Sequence, residues 1–106
     1  MSVPLRVLIV EDSEADTLLL LRQLTLGGFQ PTHSRVETAG AFREALNDEA
    51  WDIVIADYLM PKFTGIMAFD ILRESGKDIP FIIVSGSIGE EIAVSAMKAG
   101  VQDYVM

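Results

Sequence analysis

The sequence predicts an α/β domain built on a parallel sheet, with helices on both faces of that sheet. Short apolar runs rich in Val and Ile alternate along the chain with segments of helical spacing. The runs are nearly continuous, which is typical of strands buried on both faces of a parallel sheet. The connections are short, so we expect the element order β-α-β-α-β-α-β-α-β with right-handed crossovers.

Five segments are predicted to form the strands. Residues 5–10, 53–56 and 80–84 are the strong candidates because apolar residues dominate them. Residues 33–36 and 104–106 are weaker candidates, placed as strands chiefly because the alternation with helices requires one at each position.

Four segments carry helical spacing between these strands, and each has a helix-start or helix-stop signal beside it. They are residues 13–26, followed by Gly27 and Gly28; residues 41–46, preceded by Thr38 as an N-cap; residues 66–72, followed by Gly76; and residues 92–97, followed by Gly100. The first helix is Leu-rich nearly all round, so it offers more apolar surface than contact with the sheet alone requires.

Composition narrows the class of protein. The 106 residues include 16 acidic and 8 basic side chains, 50% are apolar, and there is no Cys. This length predicts one domain, and the net charge of −8 argues against a nucleic-acid-binding surface. Without Cys there are no disulfides, Cys-ligated zinc sites, iron–sulfur clusters or cysteine nucleophiles. No apolar run has the length of a membrane span or a signal peptide, so we expect a soluble, cytoplasmic domain.

Acidic and hydroxyl side chains follow the predicted strands. Glu11 and Asp12 come after the first strand, Asp57 after the third, and Ser85 after the fourth. Taken singly, each has an ordinary interpretation as a helix cap or a loop residue. If the strands are parallel neighbours, however, these side chains converge at one edge of the sheet, where ligands of such folds bind.

Three converging carboxylates indicate a cation site. At an effective dielectric of about 20 they repel one another by a few kcal/mol, so they must raise their pKa values or hold a cation. Oxygen ligands suit Mg²⁺, and the absence of His from the cluster argues against zinc or a redox metal. A carboxylate beside Mg²⁺ fits phosphoryl transfer through an aspartyl-phosphate.

Five short segments together resemble the receiver domain of two-component response regulators. They are residues 7–12, residues 57–61 with Gly65, residues 83–86, residues 98–100, and residues 103–104. The resemblance covers residues 6–106 and implies a flavodoxin-like, doubly wound, five-stranded parallel sheet of strand order 2-1-3-4-5. It also implies a phosphoryl transfer to this chain from a histidine kinase or a histidine phosphotransfer domain.

The resemblance assigns a role to each of seven residues. Asp57 is the phosphoacceptor. For Mg²⁺, Asp12 is a direct ligand, Glu11 is the acid that acts through a water, and Leu59 is a backbone-carbonyl ligand. Ser85 is the hydroxyl that turns toward the phosphoryl group, Gly86 is the small residue that leaves access to the acceptor, and Tyr104 is the aromatic that swings inward.

This sequence departs from the family pattern at two places. Thr64 stands where the family often has Asp, and the family's Lys is expected directly after Met106, where the chain ends. We therefore expect residues 1–106 to be a receiver domain without its last helix. Dimerisation is expected through the fourth helix and fifth strand, or through the face that the missing helix leaves.

Three alternatives remain open at this point. The domain could be an unphosphorylated interaction scaffold of receiver type. It could be a Mg²⁺-dependent phosphohydrolase with an Asp nucleophile, although such enzymes normally carry a second Asp where Leu59 stands. It could bind a flavin or nucleotide, but the acidic loop after the first strand would repel phosphate. The receiver reading predicts no enzymatic turnover beyond self-phosphorylation and self-dephosphorylation.

Overall fold

A computed structural model describes residues 3–57, 63–84 and 103–105 of the chain. In chain order the elements are β1 (Val3–Val10), α1 (Glu14–Leu26), β2 (Phe29–Val36), α2 (Ala39–Asp48), β3 (Ile53–Asp57), α3 (Gly65–Ser75), β4 (Phe81–Val84) and β5 (Asp103–Val105). The five strands form one parallel sheet in the order β2-β1-β3-β4-β5. The predicted fold class and strand order are confirmed. The helix predicted over residues 92–97 lies outside the described residues.

The helices begin and end where the sequence signals stand. Ser13 and Thr38 are the N-caps of α1 and α2, and their hydroxyls accept the N–H groups of Asp16 and Ala41, each at 3.1 Å. The α3 helix ends at Gly76, whose φ of 76° is in the left-handed region that favours glycine. Capping therefore marks the starts of α1 and α2 and the end of α3.

Alternating side chains of the central strands build a core on each face of the sheet. Val7 and Ile9 of β1 pack with buried leucines of α1, while Leu8 and Val10 pack with residues of α2 and α3. Both groups are almost completely buried. The near-continuous apolar runs of the sequence thus correspond to strands covered on two sides.

The β2 strand is longer than the sequence indicated. It begins at Phe29 and pairs with β1 along its whole length, whereas the apolar pattern suggested only residues 33–36. As an edge strand it leaves most of its residues partly or fully exposed, so no apolar run marks its first half. Pro31 is tolerated there because an edge strand has one side free of ladder hydrogen bonds.

The α1 helix buries Leu20 and Leu24 against the sheet and leaves other leucines at the surface. Leu18 is 59% exposed and Leu26 is 70% exposed. Across residues 3–57, 63–84 and 103–105, none of the helices has both the length and the apolar character that crossing a bilayer requires.

Candidate functional site

The sheet register places the ends of β1 and β3 side by side. Val10 pairs with Ala56, so Glu11 and Asp57, the next residues along the chain, lie at matching positions on neighbouring strands. Asp57 itself is the last residue of β3 and pairs with Val84 of β4. The residue after Val84 is Ser85, which lies outside the described residues.

Three carboxylates come together at this edge of the sheet. One oxygen each from Glu11, Asp12 and Asp57 lies within 4.8 Å of the others. Glu11 is buried with 7% of its surface exposed, Asp57 is half-buried, and Asp12 is exposed. The cluster therefore forms an acidic site that is exposed to solvent at Asp12.

Burial and the neighbouring acidic groups together raise the pKa of Glu11. Burial raises the pKa of its carboxyl from 4.5 to about 8, with smaller contributions from a side-chain hydrogen bond to Asp12 and from the charges of Asp57 and Asp16. The N–H of Ser13 donates to Oε1 of Glu11 at 3.1 Å and opposes the increase in pKa. A metal-free site with such a pKa holds a proton at neutral pH.

The backbone of the turn between β1 and α1 is also fixed. The N–H of Glu11 donates to the carbonyl of Val36 at 3.1 Å. The Oγ of Ser13 accepts the N–H of Asp16, and the hydroxyl of Thr17 donates to the carbonyl of Ser13 at 3.0 Å. Asp12 thus lies between Glu11 and Ser13, which are both held by hydrogen bonds.

The donor set suits a hard divalent cation. It consists of carboxylate oxygens alone, with no His or Cys in the cluster, which is the chemistry that Mg²⁺ prefers. A cation here would also offset the charges of Asp57 and Asp16, which add to the effect of burial on the pKa of Glu11. Chemically, the site offers a carboxylate that could act as a nucleophile beside a bound cation.

Four of the seven residues assigned from the sequence cannot be placed in this site by their side chains. Leu59, Ser85 and Gly86 lie outside the described residues. Tyr104 belongs to β5 and its backbone pairs with Ile82 of β4, but its side chain lies outside the described part of the chain. Their roles stay predictions.

One residue beside the site carries no signal in the apolar or motif patterns. Arg35 of β2 donates from Nη1 to the backbone carbonyl of Glu11 at 3.2 Å. The signal that could have found it is positional, since Arg35 is in a predicted strand and pairs with Ile9, two residues before Glu11.

Comparison with known proteins gives a consistent result. A family model for the response regulator receiver domain matches residues 7–106. Response regulator MprA of Mycolicibacterium vanbaalenii is 31% identical over 106 aligned residues, which cover 97% of this chain and 44% of that protein. The chain therefore spans less than half the length of this relative.

Solved structures agree with the sequence comparison. Full-length FixJ from B. japonicum superposes with a TM-score of 0.65 at 27% identity, covering 94% of this chain and 48% of that one. The structure of FixJ-N gives a TM-score of 0.65 at 30% identity, covering 95% of this chain and 79% of that one. With the family model matching nearly all of its residues, the chain belongs to the response regulator receiver domain family.

Proposed function

We propose that Asp57 is the phosphoacceptor of this receiver domain and that Asp57 holds Mg²⁺ together with Asp12, the backbone carbonyl of Leu59 and, through a water, Glu11. The observation that carries the proposal is the meeting of the three carboxylates within 4.8 Å at the carboxyl ends of β1 and β3. Family membership supports it, since the residues match the family's acidic motif position by position. When bound, Mg²⁺ neutralises charge on the transferring phosphoryl oxygens.

The reaction assigned to Asp57 is a group transfer. A carboxylate oxygen of Asp57 forms a bond to phosphorus while the bond from phosphorus to a histidine nitrogen of the donor breaks. The donor imidazole keeps the electron pair and takes a proton from solvent. Asp57 is half-buried at the end of a central strand, and this partial exposure supports its access to an incoming donor.

The proposed donor is a histidine kinase or a histidine phosphotransfer domain, the partner class of receiver domains. Ser85, Gly86, Tyr104 and the carbonyl of Leu59 complete the proposed site by resemblance. The new charge of about −1.5 to −2 on Asp57 would draw in the hydroxyl of Ser85 and let Tyr104 move. The face formed by β4, β5 and the predicted fourth helix would then change shape. Dimerisation through that face, or through the face left by the missing last helix, and a cytoplasmic location stay predictions.

Labelling with acetyl phosphate and Mg²⁺ tests the assignment. The wild-type protein is expected to gain one phosphoryl group by mass, and Asp57→Asn is expected to gain none. Asp70→Asn is the matched control, because Asp70 is an exposed aspartate on α3 that pairs with Arg73. Labelling of Asp57→Asn at the wild-type level would refute the proposal, and a loss of labelling in Asp70→Asn would show that the assay does not report on Asp57.

A further inference from the structure

The turn that carries the acidic site is attached to the edge strand β2 at two points. The N–H of Glu11 donates to the carbonyl of Val36 at 3.1 Å, and the carbonyl of Glu11 accepts from Nη1 of Arg35 at 3.2 Å. The first contact continues the β1–β2 ladder by one residue. The second contact comes from the side chain of Arg35.

The carbonyl that Arg35 holds belongs to the peptide bond between Glu11 and Asp12. Because a peptide unit is planar, fixing its oxygen also fixes the direction of the Asp12 N–H and the position of the Asp12 Cα. On the other side of Asp12, the N–H of Ser13 is held by the carboxylate of Glu11 at 3.1 Å. Asp12 is exposed, so these backbone contacts, rather than packing, hold its Cα in place, and its carboxyl shares a side-chain hydrogen bond with Glu11.

The guanidinium of Arg35 is itself supported. Nη1 lies 3.5 Å from Oε2 of Glu37, and 30% of the Arg35 side chain is exposed. The hydrogen bond to Glu11 is part-buried, and a charged donor makes such a bond stronger than a neutral one. Glu37 is about half exposed, so its ion pair with Arg35 contributes little on its own.

We propose that Arg35 is a positioning residue for the divalent-cation site, acting through the backbone carbonyl of Glu11 rather than by touching the cation or the phosphoryl group. The inference rests on the proposed function. Arg35 belongs to the edge strand β2 and lies outside the acidic motif. It holds the Glu11–Asp12 peptide at the angle that the three-carboxylate site needs.

The test compares Arg35→Gln with Glu37→Gln in the full chain. Arg35→Gln is expected to raise the Mg²⁺ dissociation constant roughly tenfold, the order expected when a bond from a charged donor is lost. At saturating Mg²⁺ its rate of labelling by acetyl phosphate is expected to return to the wild-type rate. Glu37→Gln removes the ion pair but keeps the bond to Glu11, so its Mg²⁺ affinity is expected to be unchanged.

Two further measurements separate positioning from a general loss of structure. In metal-free protein, Arg35→Gln is expected to move the amide NMR signals of Asp12 and Ser13 while those of β3 stay in place. Arg35→Lys, which keeps the charge and most of the stem, is expected to recover part of the Mg²⁺ affinity. It also serves as the test variant if Arg35→Gln does not fold.

Wild-type Mg²⁺ affinity in Arg35→Gln would overturn the inference about Arg35 while leaving the proposed function intact. An equal loss of affinity in Glu37→Gln would overturn it as well, because the ion pair and not the bond to Glu11 would then be responsible. A wild-type protein that neither binds Mg²⁺ nor takes up label would instead overturn the proposed function, and this inference with it.

Discussion

The carboxylate of Glu11 accepts a hydrogen bond from the N–H of Ser13, with Oε1 and the nitrogen 3.1 Å apart. This bond favours the charged form of Glu11, yet burial outweighs it and raises the pKa of Glu11 to about 8. The acidic site therefore stores a proton that the unfolded chain, with a pKa of 4.5, would release. Two consequences can be measured, one for stability and one for cation binding.

The first prediction concerns the free energy of unfolding without metal. Because the folded pKa of Glu11 lies above the unfolded value, the folded state binds more protons between pH 4.5 and about 8. The contribution of Glu11 is fully present below pH 4.5 and is lost as the pH rises through about 8. Urea unfolding in EDTA at pH 6 and pH 9 is expected to show lower stability at the higher pH.

Glu11→Gln isolates this effect from the other titrating groups. Glutamine keeps the size of the side chain and does not ionise, so the variant is expected to lose less stability between pH 6 and pH 9 than the wild type. An identical pH dependence in both proteins would show that Glu11 does not carry the raised pKa.

The second prediction concerns Mg²⁺. A cation must displace the proton on Glu11, so the Mg²⁺ affinity is expected to rise as the pH increases from 6 through about 8 and to level off only above that pKa. Saturating Mg²⁺ is expected to stabilise the fold, by about 2.7 kcal/mol at a concentration one hundred times the dissociation constant. Thermal unfolding with and without Mg²⁺ at each pH measures both effects.

Asp12→Asn is the variant for this second experiment, and Asp70→Asn is its control. Asp12 contributes one of the three clustered oxygens, whereas Asp70 is an exposed residue of α3 paired with Arg73. We expect the first variant to lose most of the stabilisation by Mg²⁺ and the second to keep it. Equal stabilisation of both variants would place the cation elsewhere.

The third prediction uses two glycines in helices. A Cβ at Gly65 would lie 3.2 Å from the backbone oxygen of Asp57 and 3.3 Å from Cγ2 of Ile83, whereas a Cβ at Gly40 would meet nothing within 4 Å. Gly40→Ala is expected to stabilise the protein by about 0.5–1 kcal/mol, since alanine favours a helix over glycine. Gly65→Ala is expected to destabilise it despite the same gain, because the oxygen it meets belongs to a central strand.

Chemical denaturation and acetyl phosphate labelling of the two alanine variants check this prediction. Gly65→Ala is also expected to label more slowly, since the crowding falls on the backbone of Asp57, the proposed acceptor. If Gly65→Ala matched Gly40→Ala in stability and labelled at the wild-type rate, the close approach of α3 to β3 would have no role in holding Asp57.

The meeting of Glu11, Asp12 and Asp57 was predictable because it follows from strand order and from residue positions alone. Val10 and Ala56 are paired, so the residues after them must be neighbours whatever the side chains do. The apolar runs of β1, β3 and β4 predicted these strands because both faces of each strand are covered.

Other features left no such trace in the sequence. The first half of β2 is exposed on an edge, so its residues follow no apolar pattern. The bond from Arg35 ends on a backbone carbonyl, which every residue carries, so no partner residue type marks it. The raised pKa of Glu11 depends on how deeply the residue is buried, which spacing cannot supply. Position in the fold, more than residue type, decides all three.

The last prediction concerns Phe63, which follows Asp57 by six residues and precedes α3. Phe63 is 1% exposed, and its ring centroid lies 5.8 Å from that of Phe42 in α2. The same core holds a second pair, Phe69 and Phe81, with centroids 5.3 Å apart.

Phe63→Leu and Phe69→Leu are each expected to lower the free energy of unfolding by about 1 kcal/mol, the order of an aromatic pair. Only Phe63→Leu is expected to slow labelling by acetyl phosphate, because the buried Phe63 is the nearer of the two along the chain to Asp57, the proposed acceptor. Labelling rates measured where both variants remain folded distinguish the two positions, and equal slowing in both would mean that core stability, not the position of Phe63, limits the reaction.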